Sequence, residues 1–534
     1  MTTDDFPVQK EKLYELADTI KAWNRPDLKK SDRYVYVNLS MVRLQIMWIL
    51  PKILYGLGIA DAAGAGVRVI TWKSNDKLNR LLEAFNIEAV YLDDICVHDP
   101  LAFIKAGFKT GAIMATMKTG DKLQKLRLWD IPVGKYVYED IIRTSSLSTI
   151  KTLRNKICLK KIFHILWMLY SLNKYTDKYK PCACISDDIA YHEAAQLAMM
   201  HKKGAVVFSQ NLNTEIGIDF DKDGGTVRWG KIENDKIHEA YKSFGDEIVS
   251  EADDLLAKRF EGKNGRDLDR AAFVGKKTVS REELTDELGL RRDRKNIVIM
   301  AHTFTDAVFN YGELYFRDYY DWMEKTLVLA GKNDKVNWIL KPHPSRKVYN
   351  ESTDSIEKMY ERLKKDHIYL LPDKVSAESI RNIADAIITI GGNAGGEFSC
   401  CGIPAIIVGK PYYKGFGYTI EPADLAEYER ILADADSIDK LTEEQTKTAK
   451  KVFYLKAKIG KGSYKFEDDF AKLIRGKNKQ MSDKIAAQLF ESNNGTQDYN
   501  DDIIISITDY FRNNRIEDTS YYRRGYERGS GITK

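Results

Sequence analysis

The chain has 534 residues, enough at about 150 residues per domain for roughly two to four domains with large hydrophobic cores. Apolar residues make up 43% and charged residues 30%. With 83 Lys+Arg against 78 Asp+Glu, the net charge is only +5, which speaks against a dedicated nucleic-acid binder. No apolar run reaches the roughly 18 residues that cross a bilayer. QIMWILPKILYGLG, from Gln45, is interrupted by Pro51 and Lys52, and IFHILWMLYSL, from Ile162, lies between Lys160, Lys161 and Lys174. Both read as core helices, the second with the lysine flanks of a segment that can lie against a membrane surface. The polar opening MTTDDFPVQKEK predicts no secretory leader. Cysteines at 96, 158, 182, 184, 400 and 401 form no CxxC pair, which predicts a reducing, cytoplasmic setting without a zinc site or disulfide framework.

In chain order, RYVYVNLS from Arg33 is a short strand followed by a helical pattern through Leu57. GVRVITW (66–72) and IEAVYLDD (87–94) repeat the strand composition, with the helix KLNRLLEAF between them. Strands alternating with helices predict βαβ units and a parallel sheet. After a helix-rich stretch come ACISDD, the helix YHEAAQLAMMHKKG with Gly204 at its C-terminal cap, and AVVFSQ. Residues 1–215 are therefore predicted as one doubly wound domain with helical insertions. Residues 216–290 read as a charged connecting segment. Within it, Asp219, Asp221, Asp223 and Gly224 match the opening of a calcium loop, but Gly230 stands where that loop needs Glu. Alternating apolar residues around KDGG predict a hairpin turn instead, and no metal is assigned.

SREELTDELGL, from Ser280, carries a capping box with Glu283 and predicts a short helix. NIVIMAH (296–302), VNWILKPHP, HIYLLP, DAIITIGG and PAIIVGK then supply the strands of a second α/β domain, residues 291–475. Residues 476–534 are predicted as C-terminal helices and a tail ending in YYRRGYERGSG.

Ligands of open parallel sheets bind beyond the carboxyl ends of the strands. In the second domain His302, Thr303 and Asp306 follow NIVIM, and Lys341, His343 and Ser345 follow VNWIL. GGNAGG, with Asn393, Gly395 and Gly396, follows DAIITI and leads to Glu397. Three such ends predict one crevice with donors on several sides. The glycines suit the approach of a phosphate ahead of the helix EFSCC, and equally a tight strand-to-helix turn. The run is neither GxGxxG nor GxxxxGK[ST], which argues against a nicotinamide cofactor and a P-loop. Glu397 suits the first turn of a helix, where its carboxylate can accept ribose hydroxyls.

His343, between two prolines, projects from a stiff loop and with Lys341 and Ser345 offers donors to phosphate oxygens. PYYKGFGYT, from Pro411, reads either as an ordered surface loop or as a lid over a base or sugar. In the first domain Asp187 and Asp188 end a strand, and Tyr191, His192 and Glu193 begin the next helix. Either aspartate suits the cap of that helix. Facing a cleft, a carboxylate there can instead deprotonate an acceptor hydroxyl or attack a donor carbon.

At these residues the chain resembles the bacterial capsular polysaccharide synthesis transferases, including the β-Kdo transferases. GEFSCCGIPAIIVGKPYYKGFGYT is similar to that group's glycine-rich turn, Glu-containing helix, G-x-P, strand and aromatic Y-x-G-[WF]-G-x-T loop. KPHP resembles its phosphate motif, MAHTFTDA its strand-to-loop segment, and ISDDIAYHEAAQLAMMHKKGAVVF its acceptor-side strand, helix and strand. The resemblance is specific over residues 296–420 and weak elsewhere. His302 and Thr303 depart from the group's pattern, as does the Cys400–Cys401 pair.

The resemblance implies a GT-B fold, two Rossmann-like domains facing a cleft, with a helical C-terminal tail. It implies that His343 and Ser345 bind the nucleotide phosphate, Glu397 the ribose, and that Tyr413 and Thr419 line the donor pocket. His302, Lys341, Asn393, Gly395 and Gly396 would complete that pocket, with Asp187, Asp188 or Asp306 as the catalytic carboxylate. No cofactor or metal is implied. The donor would be a nucleotide-activated sugar, CMP-Kdo or another acidic sugar. The acceptor would be a capsular or other surface polysaccharide or glycolipid at the inner face of the membrane, with a capsule-assembly complex as a further partner. Two other readings stand beside this one. One is a CDP-glycerol or CDP-ribitol phosphotransferase of teichoic-acid type, in which His302 or His343 acts on the transferring phosphate. The other is a non-catalytic nucleotide-sugar-binding partner in capsule assembly.

Overall fold

Two six-stranded sheets carry the fold. The computed structural model describes residues 10–19, 31–41, 46–211, 214–263, 272–312, 314–346, 354–459 and 508. The first sheet contains β1 (Arg33–Asn38), β2 (Gly66–Thr71), β3 (Glu88–Tyr91), β4 (Lys180–Ser186), β5 (Val206–Asn211) and β6 (Thr214–Gly217). Its order is β3-β2-β1-β4-β5-β6, parallel throughout except for β6, which runs antiparallel to β5. The second contains β7 (Asn296–Met300), β8 (Asn337–Lys341), β9 (Ile368–Leu370), β10 (Ala386–Thr389), β11 (Ala405–Ile407) and β12 (Thr419–Ile420). It is wholly parallel, in the order β12-β11-β10-β7-β8-β9. Both halves are thus wound alike, as two Rossmann-like α/β units. The winding reverses between β1 and β4 in one and between β7 and β10 in the other, the points where such sheets open a crevice.

The strands are continuous apolar runs because helices cover both faces of each sheet. In β8 all five residues are buried. Helices Ile46–Ala63 and Asp76–Ala84 pack on one face of the first sheet, and Val133–Ser145, Lys156–Lys178 and Tyr191–Lys202 on the other. The third strand ends earlier than expected, at Tyr91. Asp93 and Asp94 instead occupy the first turn of a helix, Leu92–Val97, where carboxylates oppose the positive end of the helix dipole. The KDGG turn closes as expected, with Phe220 bridged to Thr226 and the Asp221 N–H donating to Gly225 O at 2.7 Å. The capping box forms at Ser280, and Gly289 ends that helix with φ of 69°. Helices Trp229–Tyr241 and Val249–Phe260 pack on Glu443–Ile459. The C-terminal helices and tail expected in 476–534 lie outside the described residues, apart from Thr508.

The halves interlock through the loop after β7. Val308 and Phe309 leave the second half and bury themselves in the core of the first. Beside them Glu139, 0% exposed, accepts the Phe309 N–H through Oε1 at 2.8 Å and pairs through Oε2 with Arg228 Nη2 at 3.0 Å. Arg228 also donates from Nη1 to Ile189 O at 2.6 Å. A second tie runs from Tyr138 and Thr149 hydroxyls, both donating to Asp318 Oδ2, while Asp318 Oδ1 accepts the Asp321 N–H at 2.7 Å and so caps the helix Tyr319–Ala330. Burial raises the Asp318 carboxyl above its ordinary range despite those bonds.

Glu139→Ala would leave Arg228 buried without its counter-charge and the Phe309 N–H without an acceptor. A loss of about 3–5 kcal/mol in urea unfolding is expected, with Glu139→Gln losing less because it keeps the acceptor. A loss of about 1 kcal/mol or less, the worth of an exposed pair, would remove Glu139 from this role.

Candidate active site

At the reversal point of the first sheet, β1 and β4 deliver polar residues to one edge. Ser186 Oγ donates to Glu193 Oε2 at 2.8 Å, and the Met41 N–H donates to Oε1 at 2.9 Å. Burial nevertheless pushes the Glu193 carboxyl up to about 7. Next to it His192 joins Asp140 through Nδ1, and its Nε2 lies 3.1 Å from Ser40 Oγ. Burial would raise Asp140, but the attraction and hydrogen bond of the His192 ring outweigh it and hold the carboxyl low. Trp72, immediately after β2, meets His192 edge-on at 5.3 Å and stacks on His164 at 4.9 Å. A Ser40–His192–Asp140 chain therefore lies beneath a pair of aromatic rings.

The three carboxylates singled out in the sequence divide. Asp187 pairs at 2.7 Å with Lys52, the lysine that interrupts the apolar run, whose side chain is only 1% exposed. Asp188 accepts the Ile189 N–H at 2.7 Å, and burial pushes it up to about 6, with Asp187 and Asp306 adding to the rise. Neither caps the helix Tyr191–Lys202. Its cap residue is Ala190, without a side-chain bond, and Tyr191 takes a left-handed φ of 57°. Such a backbone costs on the order of 1–3 kcal/mol for a side-chain-bearing residue. It carries the Tyr191 hydroxyl to Asp306 Oδ1, 3.2 Å away in the other half. The structure thus gathers Asp188, Tyr191 and Asp306 at the junction, with Asp187 beside them but committed to Lys52.

The second half brings cationic and imidazole groups to the same edge. Lys341 ends β8 5% exposed, without an ion-pair partner among the described residues, and burial lowers its ammonium to about 7. Arg346 and Lys276 add to that lowering. His343 Nδ1 accepts the Ser345 N–H at 3.2 Å, which puts the proton of the neutral ring on Nε2. His302 stacks near it, ring centroids 5.7 Å apart, and its Nδ1 faces Thr303 O at 3.3 Å, which leaves Nε2 as the lone pair. Burial lowers the His302 pKa, with Asp306 opposing.

The glycine run has a different reason from the one expected. The helix begins at Asn393, not at Glu397, so Gly395 and Gly396 lie inside it. A Cβ on Gly395 would stand 2.1 Å from Tyr413 Oη, one on Gly396 2.5 Å from Tyr412 Oη, and one on Gly391 2.8 Å from the Tyr311 ring. These glycines make room for tyrosines. Tyr413 Oη donates to Gly392 O at 2.7 Å from full burial, Tyr412 and Tyr418 are buried, and Phe416 stacks on His238 at 3.8 Å. The three tyrosines of PYYKGFGYT are therefore core residues, while Gly415 and Gly417 are exposed. Thr419 donates to Glu421 Oε1 at 2.6 Å. Glu397, 5% exposed, accepts from Arg259 Nε at 2.8 Å, and Asn393 is exposed at the start of its helix.

Sequence reasoning passed over Glu139, Arg228, Ser40 and Asp140, and used Lys52 only against a membrane span. The usable signal was charge on apolar faces: Glu139–Asp140 within YVYEDII, and Lys52 within ILPKILY.

Two outcomes follow from this geometry. Gly395→Ala should cost about 1–3 kcal/mol of stability through overpacking against Tyr413, read by urea unfolding. Unchanged stability would return the glycine to a ligand-approach role. Asp188→Asn keeps the acceptor for Ile189 and removes the buried charge. Because the folded carboxyl titrates above its ordinary value, that charge costs nothing at low pH and its full amount above about 6. The variant should match the parent near pH 3.5 and exceed its stability by about 3 kcal/mol near pH 7.5. A difference that does not vary with pH would contradict the raised carboxyl.

No family model matches the chain, and none of the curated proteins does. Among solved structures, the β-Kdo 2,4 transferase of Thermosulfurimonas dismutans KpsC is similar at 14% identity, over 55% of this chain and 86% of that one, with a TM-score of 0.33. The β-Kdo 2,7 transferase of the same KpsC is also 14% identical, over 53% and 80%, with a TM-score of 0.30. A glycosyltransferase from Rickettsia africae ESF-5 is 11% identical over 85% and 98%, with a TM-score of 0.26. Likeness of this degree bears on neither substrate nor mechanism.

Proposed function

We propose that the chain is a glycosyltransferase that moves a sugar from a nucleotide-activated donor to a carbohydrate or glycolipid acceptor. The observation that carries this reading is the meeting of Asp188, Tyr191 and Asp306 where the two sheets' carboxyl edges come together. On this reading Lys341, the His343 Nε2–H and Ser345 hold the donor phosphate, and their preorganised charge stabilises the departing nucleotide. Asp188, raised toward neutrality, accepts the acceptor hydroxyl's proton as the oxygen bonds to the anomeric carbon. The sugar–phosphate bond breaks, and the nucleotide leaves with its electron pair. Trp72 and the Ser40–His192–Asp140 chain then supply the acceptor side. Glu397 would reach a ribose only once its pair with Arg259 opens.

The finer reading, CMP-Kdo or another acidic sugar and a capsular or other surface polysaccharide made at the inner membrane face, rests on the motif resemblance over residues 296–420. A thermal-shift panel of CMP, CDP, CDP-glycerol, UDP and GDP tests both levels. A ligand at about 100 times its Kd adds about 2.7 kcal/mol. We expect a CMP-selective shift that His343→Ala weakens with the fold intact. Silence from every nucleotide would overturn the donor site. With the donor identified, Asp188→Asn should keep binding and lose about 100-fold or more in turnover.

A phosphotransferase acting on CDP-glycerol or CDP-ribitol is favoured by one observation, the His302–His343 pair with its complementary ring protons. A CDP-glycerol shift, with activity lost in His302→Ala and kept in Asp188→Asn, would select it.

A further inference from the structure

Charge is unevenly distributed along the first half. No Asp or Glu occurs from Pro100 to Gly120 or from Ile141 to Thr176, and these stretches hold 3 and 7 basic residues in a chain whose net charge is +5. The helices Pro100–Thr116 and Lys156–Lys178 draw on those stretches and pack against each other. Phe103 joins them edge-on, 5.1 Å from the ring of Phe163 and 5.1 Å from that of Trp167. Their outer surface exposes Leu101, Phe103, Ile104, Phe108, Ile157 and Leu159, with Phe108 79% exposed. Lys105, Lys109, Lys156, Lys160 and Lys161 are interspersed along the same helices, and none forms an ion pair among the described residues. Water-facing helices seldom carry this composition, since aromatic and aliphatic side chains cluster with cations, and the helices' carboxylates stand only at their ends, Asp99 at the cap of the first and Asp177 in the last turn of the second.

We propose that this face, the outer side of helices Pro100–Thr116 and Lys156–Lys178, docks on an anionic lipid bilayer. Phenylalanine and aliphatic side chains would enter the headgroup boundary. The lysines would lie along the surface with their ammonium groups at lipid phosphates, the arrangement of interfacial amphipathic helices. Charge complementarity selects a bilayer bearing negative headgroups over a neutral one. The proposal rests on charge and exposure and stands apart from the transferase reading. Joined to it, the proposal points to a lipid-linked acceptor, because His164 follows Phe163 on the same helix and stacks on Trp72 at the sheet edge.

The full chain would be sedimented with vesicles of phosphatidylcholine containing about 30% phosphatidylglycerol, and with phosphatidylcholine alone. We expect binding to the first only, weakening steeply with salt. The exposed pairs Ile104→Ser/Phe108→Ser and Lys105→Glu/Lys160→Glu should each lower partitioning about tenfold or more, with unchanged melting and unchanged nucleotide response. That nucleotide control separates failure of this surface from failure of the donor site. Three results would each overturn the proposal. They are absence of partitioning by the folded parent, partitioning the variants do not alter, and a solution dimer abolished by Ile104→Ser/Phe108→Ser without vesicle binding.

Discussion

A carboxylate with no exposure to water is tolerable only when its charge and lone pairs are met, and Glu139 meets that demand with Arg228, Phe309 and Tyr191, partners from three other segments of the chain. One oxygen holds Arg228, on the segment connecting the halves. The other holds the Phe309 N–H, in the loop after β7. That loop also carries His302 and Asp306, and Glu139 Oε2 accepts the Tyr191 N–H as well, so both partners of the Tyr191–Asp306 contact are tied to one buried carboxylate. Val308 and Phe309 add apolar anchorage in the first core.

With that contact fixed, the electrostatics of the junction follow from which charges find partners. Lys52 neutralises Asp187 from within an apolar helix. Asp188 is raised by burial and by Asp187 and Asp306, and one backbone N–H and the charge of Arg228 offset only part of that rise. Tyr191 adds a left-handed backbone at the same place. Strain and a raised carboxyl coincide where the halves meet, and a fold selected for stability alone has no reason to keep both.

Much of the sheet architecture was legible because buried parallel strands are written as uninterrupted apolar runs, and NIVIM, NWILK and AIIT are such runs. The reversed strand order was not legible, since it depends on which side each crossover passes. Residues 92–94 read as the end of a strand because VYL favours one, although Asp93 and Asp94 mark a helix start. The candidate site was legible in part. Strand ends pointed to Asp188, Asp306, His302, Lys341 and His343. GGNAGG was ambiguous because glycine gives one signal for several needs, a ligand drawn close, a tight turn or a ring packed close, and Tyr311, Tyr412 and Tyr413 pack against these glycines. The Glu139–Arg228 pair joins residues far apart in sequence, and neither side chain announces the other.

Two sheets of one winding present opposite chemistries at their carboxyl edges. The first supplies acids and a histidine anchored to an acid: Asp187, Asp188, Glu193 and His192 with Asp140. The second supplies Lys341, Arg346, His302 and His343. A phosphate-bearing donor would be repelled by the first edge and held by the second, whereas an acceptor hydroxyl needs a proton acceptor, and carboxylates gather on the first. Asp306 is the exception, an acid on the cationic side, and it is also the residue that reaches across to Tyr191. Its place is intelligible if positive charge has to develop on the substrate between the two edges, where a carboxylate from each side can face it. An oxocarbenium-like centre between Asp188 and Asp306 satisfies that requirement, and a phosphorus centre, which gathers negative charge, does not. That contrast weighs for sugar transfer over phosphoryl transfer at this junction.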